Sequence, residues 1–382
     1  MPQGLRTVLA VALLTVATWA IAVDLRADHP QTYVVKRGDT LWDIAGTFLQ
    51  RPWLWPEIWQ ANPQIENPHL IYPGDVISLA YLDRVQARVQ PGPRTDAPIG
   101  GVSLAEIGPF LNDMQVVDAF KQLPHIVGLE DDRLRSGQGQ LAYALELNAV
   151  PGERYSIVRP IHRYARRGRV KGCCDVFHVT DLDRGGRIIF DTQNFWSDAM
   201  VIDEGNDVLG YELMHVADVT VTRGAGNGVD ASTLLLDRNS LEVRVGDRIV
   251  PYNAQPYDLQ FYPHPPSHPF EYGRARVLAV ADMLTTGGPH DVVAISVGLR
   301  DGIDNGTVFS AWRPGSNVVD RVQNPDTNEG WYSKQAKTRL PDEFAGHLMV
   351  FRSFEKMSYA LVMDSVKPTR VGYELKHPDA IQ

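Results

Sequence analysis

The chain has 382 residues, enough for two or three domains with sizeable cores. Its 44% hydrophobic and 22% charged content is ordinary for a globular protein. A formal net charge of −9 makes it a poor candidate for binding nucleic acid, whose phosphates demand a cationic surface. Residues 1–22 read as a secretory signal: Arg6 supplies a weak positive start, Val8–Ala22 is apolar, and Ala20-Ile21-Ala22 is an Ala-x-Ala cleavage site. The competing reading is an uncleaved membrane anchor, but the run falls short of the ~20 apolar residues that span a bilayer. Cleavage is the expectation, leaving a chain without a transmembrane segment. It would remove Arg6 and no acid, moving the formal charge from −9 to −10. No cysteine follows the site, which excludes acylation of a new N-terminus there.

From Tyr33 to Leu79 the pattern is strand, helix, helix, strand. Tyr33–Lys36 and Val76–Leu79 are short runs rich in Val, Ile and Tyr. The first helix opens at Asp39-Thr40-Leu41-Trp42-Asp43, where Thr40-x-x-Asp43 approximates a capping box, and Leu41, Ile44, Ala45 and Phe48 form one apolar stripe. The second begins near Pro56 and stops at Asn62-Pro63, because proline cannot continue a helix.

These residues resemble the LysM domain, a peptidoglycan- and chitin-binding module of βααβ topology. The matching positions are Tyr33-x-Val35, Gly38-Asp39-Thr40-Leu41, Ile44-Ala45, Asn62-Pro63 and Ile71-x-Pro73-Gly74-Asp75, in order and at the right spacing. The tryptophan-rich connection Gln50–Trp59 departs from the pattern by lengthening the path between the helices. The resemblance implies an N-acetylglucosamine groove formed by Gly38, Asp39, Thr40 and Leu41 on one side. Asn62, Pro63, Gln64 and Ile65, with Leu70, Ile71 and Tyr72, form the other. Elementary chemistry agrees: Gly38 permits close backbone approach, and Ile65, Leu70 or Tyr72 offers a face for a pyranose ring. The plainer alternative is that Asp39 and Thr40 cap a helix and Ile71 fills a core. Tyr33–Leu79 carries three basic and five acidic side chains, so stacking and hydrogen bonds, not attraction to acidic stem peptides, would hold the sugar.

Ala80–Gly101, with Pro91-Gly92-Pro93 and Gly100-Gly101, reads as a tether. A helix is expected from Ser103 to about Phe110, started by the capping box Ser103-x-x-Glu106, and a second short one around Val116–Gln122. From Gly139 onward short strands dominate. They are Leu141–Leu147, Tyr155–Arg159, Arg187–Asp191, Tyr211–Thr222, Ser232–Leu236 and Leu241–Val245, then Arg274–Ala281, Asp291–Val297, Gly306–Ala311, Gly346–Arg352 and Ser358–Asp364. The expected fold is α+β: a βααβ unit followed by small β barrels or sandwiches. The expected division is a signal at 1–22, a LysM unit at 31–80, a linker at 81–102, short helices plus a β-rich domain at 103–237, and a second β-rich domain at 238–382.

Three further stretches extend the resemblance. Leu209-Gly210-Tyr211-Glu212, Val245-Gly246-Asp247-Arg248-Ile249-Val250-Pro251 and Leu299-Arg300-Asp301-Gly302-x3-Gly306 are similar to the β-rich partner of LysM in the type IV pilus secretin-associated LysM proteins. The C-terminal part of that family is related to a flagellar assembly protein domain. The resemblance implies a periplasmic protein that anchors an outer-membrane secretin to the wall. The segment between Arg159 and Gly210 is longer than in that family.

Both cysteines, Cys173-Cys174, lie in that segment; a strained vicinal disulfide, two free thiols and intermolecular pairing all remain open. Arg159–Lys171 packs six Lys or Arg, either a solvated hairpin tip or a docking patch for an acidic partner surface or lipid phosphate. His264-Pro265-Pro266-Ser267-His268 reads as a proline-rich turn and not a metal site, since prolines keep the two histidines off one helical face. No metal, cofactor or catalytic residue is expected, because the chain lacks the zinc, transpeptidase and transglycosylase patterns of wall hydrolases. A non-catalytic binding protein is the favoured reading; a wall hydrolase or activator of wall remodelling is the alternative.

Overall fold

The computed structural model describes residues 25–56, 72–78, 104–166, 180–182, 188–189, 207–226, 228–252, 262–268, 274–281, 286–320, 322 and 337–380. The chain forms two compact units, residues 1–102 and 103–382. Most of the described structure is strand, with few helices.

In the first unit, β1 (Thr32–Val34) pairs antiparallel with β2 (Val76–Ser78), and α1 (Leu41–Phe48) packs beside them. The core is Val35, Leu41, Ile44, Ala45, Phe48, Leu49, Trp55 and Ile77. Leu25 joins it through a bridge to Leu49, so the segment preceding β1 belongs to the unit. The Gln50–Trp59 connection enters as a 3-10 turn, Pro52–Leu54; Trp53 and Trp55 are buried, and Trp53 lies 6.3 Å from Trp42 between ring centroids. Helical backbone resumes at Trp55 and Pro56, where the second helix is expected. The remainder of that helix lies outside the described residues, as do the expected signal and tether.

The second unit opens with α2 (Leu104–Asn112), then β3 (Met114–Val117), β4 (His125–Leu129), β5 (Leu141–Leu145), β6 (Arg154–Arg166), β7 (Thr180–Leu182) and β8 (Ile188–Ile189). β9 (Asp207–Arg223), β10 (Ser232–Asn239) and β11 (Arg248–Pro251) follow. The order β9-β10-β5-β4-β11-β6 returns to β9, so six antiparallel strands close into a barrel. Ile157, Val219, Val221, Leu234, Leu236 and Ile249 fill it, and the small Ala142, Ala144 and Ala217 let so few strands close around one core. β3 hangs on the outside of β9, and β7 and β8 extend from β6.

The remaining strands are β12 (Val277–Val280), β13 (Thr286–Gly287), β14 (Val292–Ile295), β15 (Val308–Arg313), β16 (Asn317–Val319), β17 (Lys337–Arg339), β18 (Glu343–Ser353), β19 (Ser358–Ser365), β20 (Thr369–Arg370) and β21 (Glu374–Lys376). β12-β14-β19-β18-β15-β21 is a half-barrel whose two edges approach at an Arg276–Glu374 bridge. The C-terminal region is therefore barrel and half-barrel, not sandwich. The division expected near residue 238 falls inside β10, and β11 still belongs to the first barrel.

Two expectations fail locally. Val116–Gln122 is not a helix: Val116 and Val117, β-branched and suited to a pleated surface, pair with Glu212 and Tyr211 of β9. Leu241–Val245 is not a strand; Val243 makes one isolated bridge to Ser136, and the ladder resumes only at Arg248. What intervenes is a tight turn that recurs through both units. In Lys36–Asp39, Tyr72–Asp75 and Arg244–Asp247, the fourth residue's N–H donates to the first residue's carbonyl. Glycine takes the third position with φ near +93°, and the aspartate carboxylate accepts from the first residue's N–H. Gly-Asp in the sequence thus marks a turn whose acid ties its own beginning.

Barrel and half-barrel meet at a buried polar cluster. The Glu212 carboxylate on β9, fully buried, accepts from the Tyr164 hydroxyl of β6 at 3.3 Å and from the Tyr359 hydroxyl of β19. His162 Nε2, also buried, stands 4.0 Å from its second oxygen. Burial, and then the charge of Glu212, pushes both phenols well above the usual tyrosine range. Raised phenols contribute stability that is complete below about pH 10 and lost above it, as tyrosines of the unfolded chain ionise while these two do not. The melting temperature should therefore fall as pH is taken from 9 to 11, and fall less steeply in a Tyr164→Phe/Tyr359→Phe variant. Equal slopes would show that the cluster does not set the alkaline limit.

Candidate functional site

The loop between β1 and α1 is built from short-range hydrogen bonds. Gly38 (φ +93°) turns the chain, and a side chain there would meet nothing within 4 Å, so the glycine is held for its backbone and faces open space. The Asp39 carboxylate accepts from the Tyr33 hydroxyl at 2.9 Å and from the Lys36 N–H at 2.8 Å. Burial and that carboxylate push the Tyr33 phenol up to about 12. Thr40 completes the capping box: its Oγ1 accepts from the Asp43 N–H at 3.2 Å, and Asp43 Oδ2 accepts from the Thr40 N–H at 3.0 Å.

Four of the sequence-predicted site residues are therefore adjacent, but their side chains differ in what they offer. Thr40 is 5% exposed and engaged by Asp43; Leu41 is 1% exposed and belongs to the core. What this loop presents to a ligand is the open backbone at Gly38 and the oriented carboxylate of Asp39. Across the unit, Tyr72 begins the second Gly-Asp turn, half-buried, its N–H donating to Asp75 Oδ2 at 3.0 Å. Val35 ties the two turns together, since its N–H donates to the Asp75 carbonyl and its carbonyl accepts from Gly74, both at 2.8 Å. The two candidate walls thus share one hydrogen-bonded frame. Asn62, Pro63, Gln64, Ile65, Leu70 and Ile71 lie outside the described residues.

Asp75, part of the matching motif but not of the expected sugar-binding set, is buried at 1% exposure and fixes the Tyr72 side of the frame. Its twin Asp39 stands in the same Gly-Asp context, which was the available signal.

Elsewhere in the chain the other predicted features resolve less generously. Arg159, first of the basic run, is committed to Asp247, its Nε and Nη2 donating to the two carboxylate oxygens at 2.8 and 2.9 Å. It braces the barrel's Gly-Asp turn and is withdrawn from any docking surface. Residues 167–171 of that run, and Cys173 and Cys174, lie outside the described residues. His264 pairs with Asp304 at 3.3 Å, and Ser267 Oγ lies 3.0 Å from His268 Nδ1. Among the described residues no group of three or more His, Cys, Asp or Glu is arranged to hold a metal ion. Ser156, Asp218 and His215 adjoin on the barrel, but both Ser156 Oγ (3.1 Å) and His215 Nε2 (2.9 Å) meet the same Asp218 oxygen. The carboxylate stands in the middle, so this is not the serine–histidine–carboxylate order of a nucleophile relay. No helix among the described residues is long and apolar enough to cross a membrane.

Comparison with known proteins bears on the first unit. A curated relative, "Uncharacterized protein YqbP" of Bacillus subtilis (strain 168), is 40% identical over 60 residues, 13% of this chain and 27% of the relative. The chain thus spans about a quarter of the length of that relative. The LysM domain family matches residues 33–80, the span that holds all but the first residue of β1, then α1, both Gly-Asp turns and β2, which points to peptidoglycan or another carbohydrate as the ligand. Residues 33–80 of this chain are a LysM domain.

Proposed function

We propose that this is a non-catalytic periplasmic protein whose LysM domain holds the glycan mesh of peptidoglycan while residues 103–382 grip a protein machine. The observation that carries the reading is the pairing of a LysM domain with a separate, much larger β body in one chain. The partner we propose is the outer-membrane secretin of a type IV pilus. Its support is the similarity of the Leu209–Glu212, Val245–Pro251 and Leu299–Gly306 stretches to the secretin-associated LysM proteins. These stretches form part of β9, a Gly-Asp turn running into β11, and a 3-10 turn, respectively. The mechanical logic is tethering: one small module binds weakly, and many copies around a ring-shaped partner raise avidity without new contacts.

The test is co-sedimentation with purified sacculi beside co-purification from solubilised envelopes. The full chain should pellet, a chain lacking residues 33–79 should stay in the supernatant, and Asp39→Ala should weaken pelleting by about tenfold, the equivalent of one lost carboxylate contact set. Moderate salt should not release the protein, because apolar contacts and hydrogen bonds carry the binding. Pelleting of the deleted chain would reject the wall-binding role. Failure of the β body to co-purify with a secretin would reject that partner, and release of muropeptides by the purified protein would replace the reading with an enzymatic one.

A further inference from the structure

The connection from the LysM domain enters the β body at α2, and α2 is a weak helix. It has nine residues, Leu104–Asn112, with Gly108 and Pro109 in its middle. Such a length is marginal for an isolated helix, and interior glycine and proline each disfavour it further. Docking holds it instead. Ile107, Phe110 and Leu111 are buried. Phe110 stands edge-on to Tyr359 and Phe351, with ring centroids 5.5 and 6.4 Å away. At the C-terminal end, where helix carbonyls lack intrahelical donors, Arg352 of β18 reaches in: its Nη1 donates toward the carbonyls of Phe110, Leu111 (3.0 Å) and Met114. The next residues, β3, pair with β9 of the barrel. Residues 104–117 therefore lie on the half-barrel by their helix and on the barrel by their strand.

We propose that α2 is a strap across the two β elements, latched by Arg352, which opens before either the barrel or the half-barrel unfolds. Its stability comes from one face of apolar contact and one guanidinium, whereas the strands around it are tied by long antiparallel ladders, bulged in places. Resting on the anchor reading above, the strap is the first described element of residues 103–382 that a pull from the wall would load.

Hydrogen exchange on the full chain tests this without wall or partner, so its outcome is independent of the sacculus experiment. Arg352→Met keeps an apolar stem but removes the charged donor, and exchange at the Gly108, Phe110 and Leu111 amides should accelerate by about 10- to 100-fold. Exchange in β9, β14 and β19 should stay as in the parent. Phe110→Ala, which alters the strap and no strand, should give the same selective pattern. Acceleration of β19 and β9 together with α2 in both variants would show that the helix has no independent opening. Unchanged exchange at Gly108, Phe110 and Leu111 in both would show that it is not latched there. Either result overturns the proposal.

Discussion

Replacing Glu212 with leucine should lower the melting temperature of the β body by about 5 to 15 °C. The size follows from what remains behind. Leucine has similar volume and removes a buried charge, a change that can be neutral when both sides of an interaction are replaced. Here the hydroxyls of Tyr164 and Tyr359 stay in the seam and lose their shared acceptor. Each such loss costs about 1–3 kcal/mol, and a body of this size moves by about 2–4 °C per kcal/mol. The physical test is reciprocity. Combining Glu212→Leu with Tyr164→Phe and Tyr359→Phe removes donors and acceptor together and should recover most of the loss. If the triple variant is no better than Glu212→Leu alone, the hydroxyl–carboxylate bonds are not what holds the seam.

Glu212 also shows where the sequence stops being legible. In Leu209-Gly210-Tyr211-Glu212-Leu213 the alternation places Glu212 opposite Leu213 and Leu209, as a strand residue facing water. Its burial follows from the half-barrel, which arrives about 150 residues later in the chain and brings Tyr359 over it. No local pattern encodes that, and the same holds for Arg352, whose targets lie near residue 110. Features set within four residues were readable: the Thr40–Asp43 capping box and the helix after Ser103. The short strands were readable as strands, but not as a ring. Closure depends on β6 pairing with both β11 and β9, long-range choices that alternation cannot rank. The missed β3 has the same cause: Val116–Gln122 was read from its own residues, and the free side of β9 decided it.

The LysM domain was legible in another sense, since its turns carry their own hydrogen-bonding residues. Asp39 and Asp75 each fix the turn in which they stand, and the frame around Val35 is closed by the second of those turns, inside the same unit. A module specified so locally is suited to fold by itself at one end of a longer chain. Sacculus binding should therefore survive damage to the β body.

Gly346→Ala supplies that damage. Gly346 lies in β18, paired with Ser365 of β19. A methyl group there would be driven into the Asp364 carbonyl oxygen and stand 2.8 Å from the Ser365 Cα. Both are backbone atoms of a ladder and cannot rotate away as a side chain can. The strands must part, at a cost of about 3 kcal/mol or more, the upper range for forcing extra volume into a packed interior. Gly38→Ala is the contrasting case: open space surrounds the added methyl, and only the positive φ resists, at about 1–2 kcal/mol. We expect Gly346→Ala to lower the melting temperature of the β body by about 6 to 12 °C or more while the protein still pellets with sacculi. Gly38→Ala should do the reverse, weakening pelleting and leaving the β body's transition in place. If Gly346→Ala abolishes pelleting while α1 and the β1–β2 pair remain protected from exchange, wall binding needs the β body as well as the LysM domain, and the division of labour between the two units fails.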